Sequence, residues 1–334
     1  MSMNTQRALV CMATALVAGT PVLTQQRPQA QAAAQSPARD WGSSGEIHTF
    51  HVQGNVHLVV GAGGNIAVQA GAEGVLFVDT GLAQHADKVL SAVRADLSDK
   101  PIRWIVSTHF HADHVGGNET IGKAGSTTQG NPTSIVAHEN VLNRMSLPGP
   151  GQTPIPTAAW PTSSYVKGTK DFFFNDEPVM VYHARTAHTD GDSVVLFRRS
   201  DVVVAGGLYD TTRYPRIDRA GGGGVQGLID GLNLVLDLAV PKHEQEGGTY
   251  VIPGHGRVSD EADVLEYRDM VTIVRDRIAD MVSRRQTLAQ VTAARPTLDY
   301  DRQYGATSGS WTTAMFIEAI YQDLSQSGAG GGVK

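Results

Sequence analysis

Ser107-Thr108-His109-Phe110-His111-Ala112-Asp113-His114 packs four ligand-type side chains into six residues. The stretch closes a run, residues 102–107, whose apolar residues predict a buried β-strand, and Gly116-Gly117 follows to let the chain turn. Imidazole and carboxylate together suit zinc, and a tight turn directs alternate residues at one ion and the remaining ones at a second ion beside it. The competing reading is a cluster of surface histidines at a strand end. Composition alone rarely assembles such a pattern, and further ligand-type residues follow downstream.

Working outward, residues 46–53, 56–61, 65–70 and 74–79 read as short β runs broken by glycine, a meander leading to a helix over 85–97 and the strand at 102–107. A strand at 134–138 leads into a helix from Glu139. The Pro/Gly-rich residues 148–161 suit neither element and predict a functional flap or a disordered loop. The second half repeats the order, with strands at 170–174, 179–185, 193–198 and 202–205 and a glycine run, 221–224, read as a mobile loop near the site. Leu228, Leu232, Val235 and Ala239 mark a helix, 249–252 a short buried strand, Val264 to Ile278 a long amphipathic helix, and Phe316, Ile320 and Leu324 a last one. Two halves with no Pro/Ser-rich linker between them predict a single α+β domain over 41–327, two sheets sandwiched between helices, with a disordered tail at 328–334.

The chain has 334 residues, 41% of them hydrophobic, so it can bury a large core. A formal charge of -6, a pI near 6.0 and the lack of any Lys/Arg cluster exclude a nucleic-acid backbone as partner. Arg7 followed by the apolar run from Ala8 to Ala18 predicts a signal peptide, too short to span a bilayer, with cleavage at Ala30-Gln31-Ala32 or earlier near Gly19. The alternative is a frayed N-terminal helix that stays attached. Cys11, the one cysteine, lies inside that run, and Val10 before it disfavours lipid attachment; residues 1–40 therefore predict an exported protein, periplasmic or secreted, with no stable membrane anchor and no thiolate nucleophile.

The motifs resemble the metallo-β-lactamase superfamily, whose HxHxDH signature is matched by His109, His111, Asp113 and His114. The resemblance runs from about Glu46 to His255. Val78-Asp79-Thr80-Gly81 looks like the family's first motif, Ala187-His188-Thr189-Asp190-Gly191-Asp192-Ser193 like its third histidine segment, and Pro253-Gly254-His255-Gly256 like its last. The resemblance implies an αββα four-layer sandwich. It also implies that His109, His111 and His188 hold a first zinc and Asp113, His114 and His255 a second, with Asp79 supporting the metal loop and Asp190 and Asp192 orienting nearby ligands. One departure stands out: in Val204-Ala205-Gly206-Gly207-Leu208-Tyr209-Asp210, Gly207 occupies the place where many relatives carry an Asp bridging both metals. Metallo-β-lactamases themselves lack that Asp. Its absence predicts a weaker second zinc, hence one or two ions per chain, disfavours iron-based oxidoreductase relatives, and implies that an Asp introduced at Gly207 tightens the second site. Asp210 is either a replacement carboxylate or an ordinary loop residue.

A zinc-bound water has its pKa lowered from about 15.7 to about 7, which implies a hydroxide nucleophile, with Asp113 shuttling a proton, acting on an ester, lactone, lactam or related bond of a small-molecule substrate. The alternative is a non-hydrolytic zinc-binding accessory protein of the quinoprotein-relay type. Substrate contacts are expected from the 148–161 segment and the loop 208–224, through Tyr209, Arg213 and Tyr214. His48, His51, His57, His85, His138, His183 and His243 lack ligand spacing. No G-x-S-x-G elbow or Walker A loop competes.

Overall fold

Strands that are apolar on both faces need cover on both faces. In the computed structural model, which describes residues 42–125, 132–147, 155–245 and 247–329, two sheets meet that need by packing on one another and taking helices on their outer sides. Contacts divide the chain into Met1–Pro37 and Ala38–Lys334. The first unit lies outside the described residues, as do the signal-peptide reading over 1–40 and Cys11.

The first sheet begins as an antiparallel meander of β1 (His48–Gln53), β2 (Val56–Val60), β3 (Ile66–Gly71) and β4 (Gly74–Val78). Three parallel strands, β5 (Ile102–Val106), β6 (Ser134–His138) and β7 (Ser163–Tyr165), complete it in chain order. Crossovers join the parallel strands: α1 (Ala86–Asp96) precedes β5, α2 (Ala112–Val115) and α3 (Asn118–Gly125) precede β6, and α4 (Glu139–Ser146) precedes β7. In the second sheet β8 (Thr169–Phe174), β9 (Glu177–His183), β10 (Ser193–Phe197) and β11 (Val202–Asp210) are antiparallel neighbours. β12 (Tyr250–His255) then adds in parallel to β11 after α5 (Val225–Leu238). The chain ends with α6 (Glu261–Ser283), α7 (Leu288–Ala294), α8 (Asp301–Tyr304) and α9 (Thr313–Ala329).

The two-residue period of each strand assigns its side chains to layers. Leu76 and Val78 of β4 point between the sheets, where they meet Val195 and Phe197 of β10 and Val202 and Val204 of β11. Val75 and Phe77 point outward onto Val89 and Val93 of α1 and Ile121 of α3. On the far side, Val194, Leu196 and Val203 pack under Leu228 and Leu232 of α5, Val271 and Val274 of α6, and Phe316 and Ile320 of α9. The result is the four-layer αββα sandwich. Asp260 starts α6 with a reciprocal capping box to Asp263, which satisfies two N–H groups at a terminus that would otherwise leave them unpaired.

Three local readings change. β11 continues through Gly206-Gly207 to Asp210, because the glycines there admit close neighbours rather than break the strand. Residues 155–161 pack down rather than forming a free flap, with Ile155, Ala159 and Trp160 against Val115, Val141 and Met145; residues 148–154 lie outside the described residues. The last helix reaches Ala329, two residues into the segment expected as a tail, and β7, α3, α7 and α8 add to the elements anticipated.

Candidate metal centre

The carboxyl ends of parallel strands leave a crevice where loops converge, and here the motif residues meet at one such end. Asp79 follows β4, the segment 107–114 follows β5, His188 lies between β9 and β10, and His255 closes β12. Their ring centroids adjoin: His109 lies 4.9 Å from His111, 4.2 Å from His114 and 4.7 Å from His188, while His114 lies 5.3 Å from His255. Ligand atoms of His109, His111 and His188 fall within 4.8 Å of one another, as do those of Asp113, His114 and His255, and those of Asp79, His109 and His114. None of the seven histidines set aside as non-ligands joins a cluster among the described residues; His183 instead stacks on His138 at 3.6 Å and hydrogen-bonds the Asp190 carbonyl at 2.9 Å.

Four imidazoles have one nitrogen held, leaving the other for the cluster. His109 Nδ1 lies 3.0 Å from Thr108 Oγ1, His114 Nδ1 2.7 Å from Asp79 Oδ2, His188 Nδ1 3.2 Å from Asp192 Oδ1, and His111 Nε2 2.9 Å from Asp218 Oδ2. Such partners fix tautomer and ring orientation, the arrangement that metal-binding histidines require. Asp192 is itself fixed, since its Oδ2 accepts the Thr189 N–H at 2.5 Å. Asp190 acts one step farther out: it pairs with Arg144 at 2.6 Å and orients the loop rather than a ligand.

Electrostatics favour a cation here. Burial first, then the imidazoles of His114 and His188, hold His109 well below the usual histidine value; burial likewise lowers His111 to about 4, against the pull of Asp218. Burial opposes a charge on His114 too, but the Asp79 and Asp113 carboxylates outweigh it and raise this histidine to about 9. Asp113 is the reciprocal case, with burial overcome by His114 and His255 so that its carboxyl stays well below the ordinary range. Neutral imidazoles beside carboxylates that demand a positive charge form a nitrogen-rich donor set that fits a transition-metal cation. Asp113 and His255 are 36% and 20% exposed, so the centre opens to solvent on their side.

No carboxylate replaces the missing bridge. A Cβ at Gly207 would sit 2.2 Å from His188 Nδ1, the nitrogen that Asp192 holds, so the position has no room for a side chain. Asp210 serves its own turn: it accepts from Thr212 N and Oγ1 at 2.7 and 2.6 Å and pairs with Arg213 at 2.9 Å. Two expected substrate contacts are corrected. Tyr209 is 3% exposed, donates to Ser259 Oγ at 3.0 Å and packs on Tyr267; Tyr214 is 1% exposed, with its hydroxyl 3.0 Å from both the Thr297 carbonyl and Asp301 and its ring on Phe316. Both are core residues because their rings fill the space under α6 to α9, and Arg213 is engaged with Asp210. Residues not anticipated are Asp218, the partner of His111, and Arg216, an exposed cation near both with no hydrogen bond or ion pair to any described residue. The glycine run 221–224 is also not a mobile loop: Gly221 O accepts from Asp190 N and Gly224 N donates to Ala187 O, both at 2.9 Å.

Comparison with known proteins agrees with this geometry. A family profile, the metallo-beta-lactamase superfamily, matches residues 52–259. A linear primary-alkylsulfatase of Pseudomonas sp. (strain ATCC 19151) is 38% identical over 82 residues, covering 23% of this chain and 15% of that protein. Among solved structures, the inverting sec-alkylsulfatase Pisa1 from Pseudomonas sp. superposes with a TM-score of 0.62 at 16% identity, covering 83% of this chain and 50% of that one. A metallo-beta-lactamase from Pontibacter korlensis gives 0.53 at 16% identity, covering 68% of this chain and 99% of that one. The chain thus spans about half the length of the alkylsulfatase structure and a smaller part of the curated relative.

Proposed function

Because the chain belongs to the metallo-β-lactamase superfamily, we propose that it is a zinc-dependent hydrolase of small-molecule esters, with sulfate monoesters the leading class. The observation that carries the reading is the pair of adjoining three-ligand clusters, His109, His111 and His188 beside Asp113, His114 and His255. Zinc, when bound, supplies Lewis-acid polarisation and makes water nucleophilic at neutral pH. The chain's own residues do the rest. The four held imidazoles present fixed nitrogens, Thr108, Asp79, Asp192 and Asp218 keep them oriented, and Asp113, partly open to solvent, is placed to take a proton from the attacking water and return it to the leaving oxygen.

Two features support an anionic ester. Arg216 is exposed and makes no hydrogen bond or ion pair with a described residue, and its charge acts on His111 and Asp218. Phe110, between the ligands His109 and His111, holds its ring 4.8 Å from His111 and offers an apolar wall to an alkyl or aryl group. The alkylsulfatase names of two relatives point the same way.

The test is turnover of aryl and alkyl sulfates, neutral esters, lactones, thioesters and β-lactams by the zinc-loaded protein, with and without chelator. Zinc-dependent sulfate release is the expected result. Lactam turnover alone would move the substrate class, and tight zinc binding with no turnover of any of them would favour the accessory role over an enzyme. We further propose export, for which N-terminal sequencing of the protein from the periplasm or medium should find a start after the apolar run at 8–18.

A further inference from the structure

The profile match ends at residue 259, yet a helix beyond it, α9, reaches the segment that borders the metal centre. Residues 218–224 run as a strap across the His188 loop. Asp218 N donates to the His188 carbonyl at 2.9 Å, Gly223 N to the Asp218 carbonyl at 2.8 Å, and Gly224 N to the Ala187 carbonyl at 2.9 Å. The approach is close enough to require glycine: a Cβ at Gly223 would lie 2.3 Å from the His188 carbonyl oxygen, and one at Gly222, whose φ is +82°, 2.7 Å from Asp190 Oδ2. The same strap carries Asp218, whose Oδ2 holds His111 Nε2 at 2.9 Å while its Oδ1 accepts the Gly221 N–H at 2.9 Å. Two of the three ligands of the all-histidine cluster are therefore set by this one segment.

The strap is anchored on two sides. Arg144 of α4 donates to the Ala220 carbonyl at 3.0 Å. On the other side α9 supplies Asp323, which pairs with the Arg219 guanidinium and accepts the Val225 N–H, the first of α5, at 2.8 Å; Gln326 accepts from Arg219 Nη2 at 2.6 Å. Asp323 thus caps α5 and holds Arg219, the residue next to Asp218.

We propose that Asp323 and Arg219 are positioning residues for the all-histidine metal site, so that the C-terminal helix, outside the family's matched region, sets the site's zinc affinity through Asp218 and the strap. The inference rests on the metal-centre reading above. It requires no contact between α9 and a ligand, only the chain Asp323, Arg219, Asp218, His111.

The experiment is zinc titration of the full-length protein against a competing chelator, with thermal unfolding of the metal-free form alongside, for Asp323→Asn, Arg219→Met, the double variant and Asp218→Asn. Loss of a group that orients a ligand weakens metal binding about 10- to 100-fold, so Asp218→Asn should fall in that range and each outer variant should lose about 5- to 10-fold. The double variant should lose no more than the worse single one, because both act through one link. Cobalt loading should give an altered ligand-field spectrum in each outer variant, a change that mere loss of stability would not produce. Asp323→Asn and Arg219→Met with parental affinity and spectrum, beside a weakened Asp218→Asn, would overturn the role of α9. If either single variant fails to fold, the other decides. A parent chain that takes up no zinc would sink the metal-centre reading itself, a result distinct from parental behaviour of the variants.

Discussion

Asp79 accepts the Nδ1 proton of His114 at 2.7 Å while the same carboxylate takes the backbone N–H and the hydroxyl of Thr108, each at 2.7 Å. One side chain, 1% exposed and on a backbone with φ of +63°, therefore ties the end of β4 to the metal loop after β5. Aspartate tolerates that left-handed conformation better than most residues, and its two oxygens can only accept, which suits three converging donors.

Asp79→Asn turns one acceptor into a donor that faces another donor. A buried donor left unsatisfied costs about 1–3 kcal/mol, so the metal-free variant should unfold at lower denaturant by that amount. Release of His114 from its fixed orientation should also weaken zinc binding about 10- to 100-fold. Denaturant unfolding and chelator competition measure the two effects separately, and parental values in both would show that Asp79 does not hold the loop.

The raised value of His114 gives the metal-free protein a pH signature. Its folded-state value is about 9 against about 6.5 for the free side chain, so the folded form binds the proton more tightly than the unfolded one. The resulting stabilisation is complete below pH 6.5 and is lost as pH rises through 9. Thermal midpoints of chelator-treated protein should therefore decline across that window, and His114→Asn should flatten the decline. An unchanged slope in the variant would assign the effect to another group.

Gly207 reverses an expectation drawn from the motif pattern. Alignment with the bridging-Asp position implies that Gly207→Asp tightens the second zinc. The fold places the new Cβ 2.2 Å from His188 Nδ1, so the ring must leave both its site and its Asp192 partner. Gly207→Asp and Gly207→Ala should both weaken the all-histidine site, by about tenfold or more if the orientation of His188 is lost. Titration in which the aspartate variant binds two zinc ions more tightly than the parent would show that β11 can shift to make room.

The contrast explains what was legible in the sequence. The αββα order could be read because β4, β10 and most of β11 are apolar runs whose alternate residues need two covered faces; four of the ligands could be read because HxHxDH is compressed into six residues, and His188 and His255 because their own segments resemble the family's later motifs. Asp218 and Arg216 were not legible. They lie more than a hundred residues from His111 and are brought to it by the fold of the strap, with no local spacing to mark them. Tyr209 and Tyr214 misled for the opposite reason: they sit in the region expected to contact substrate, but chain position says nothing of whether a ring turns to the crevice or to the core, and helices α6 to α9 claimed both.

Arg216 provides the test of substrate charge. Between the buried neighbours Pro215 and Ile217 its side chain alone is exposed, and it makes no ion pair with a described residue, whereas Arg213 and Arg219 on the same loop are paired with Asp210 and Asp323. A charge-assisted hydrogen bond from a guanidinium to an anionic oxygen contributes about 1.5–3 kcal/mol. At about 1.4 kcal/mol per decade, Arg216→Ala should lower kcat/KM for an aryl sulfate by about 10- to 100-fold. A neutral aryl ester lacks the charge to lose, so its kcat/KM should change by no more than about twofold, and raised salt should weaken the parent's preference for the anion. Arg216→Lys, which keeps the charge but not the planar fork, should fall between. Equal losses on charged and neutral substrates would make Arg216 a support for the strap rather than a reader of charge, and no loss on either would leave the anion to be held elsewhere in the crevice.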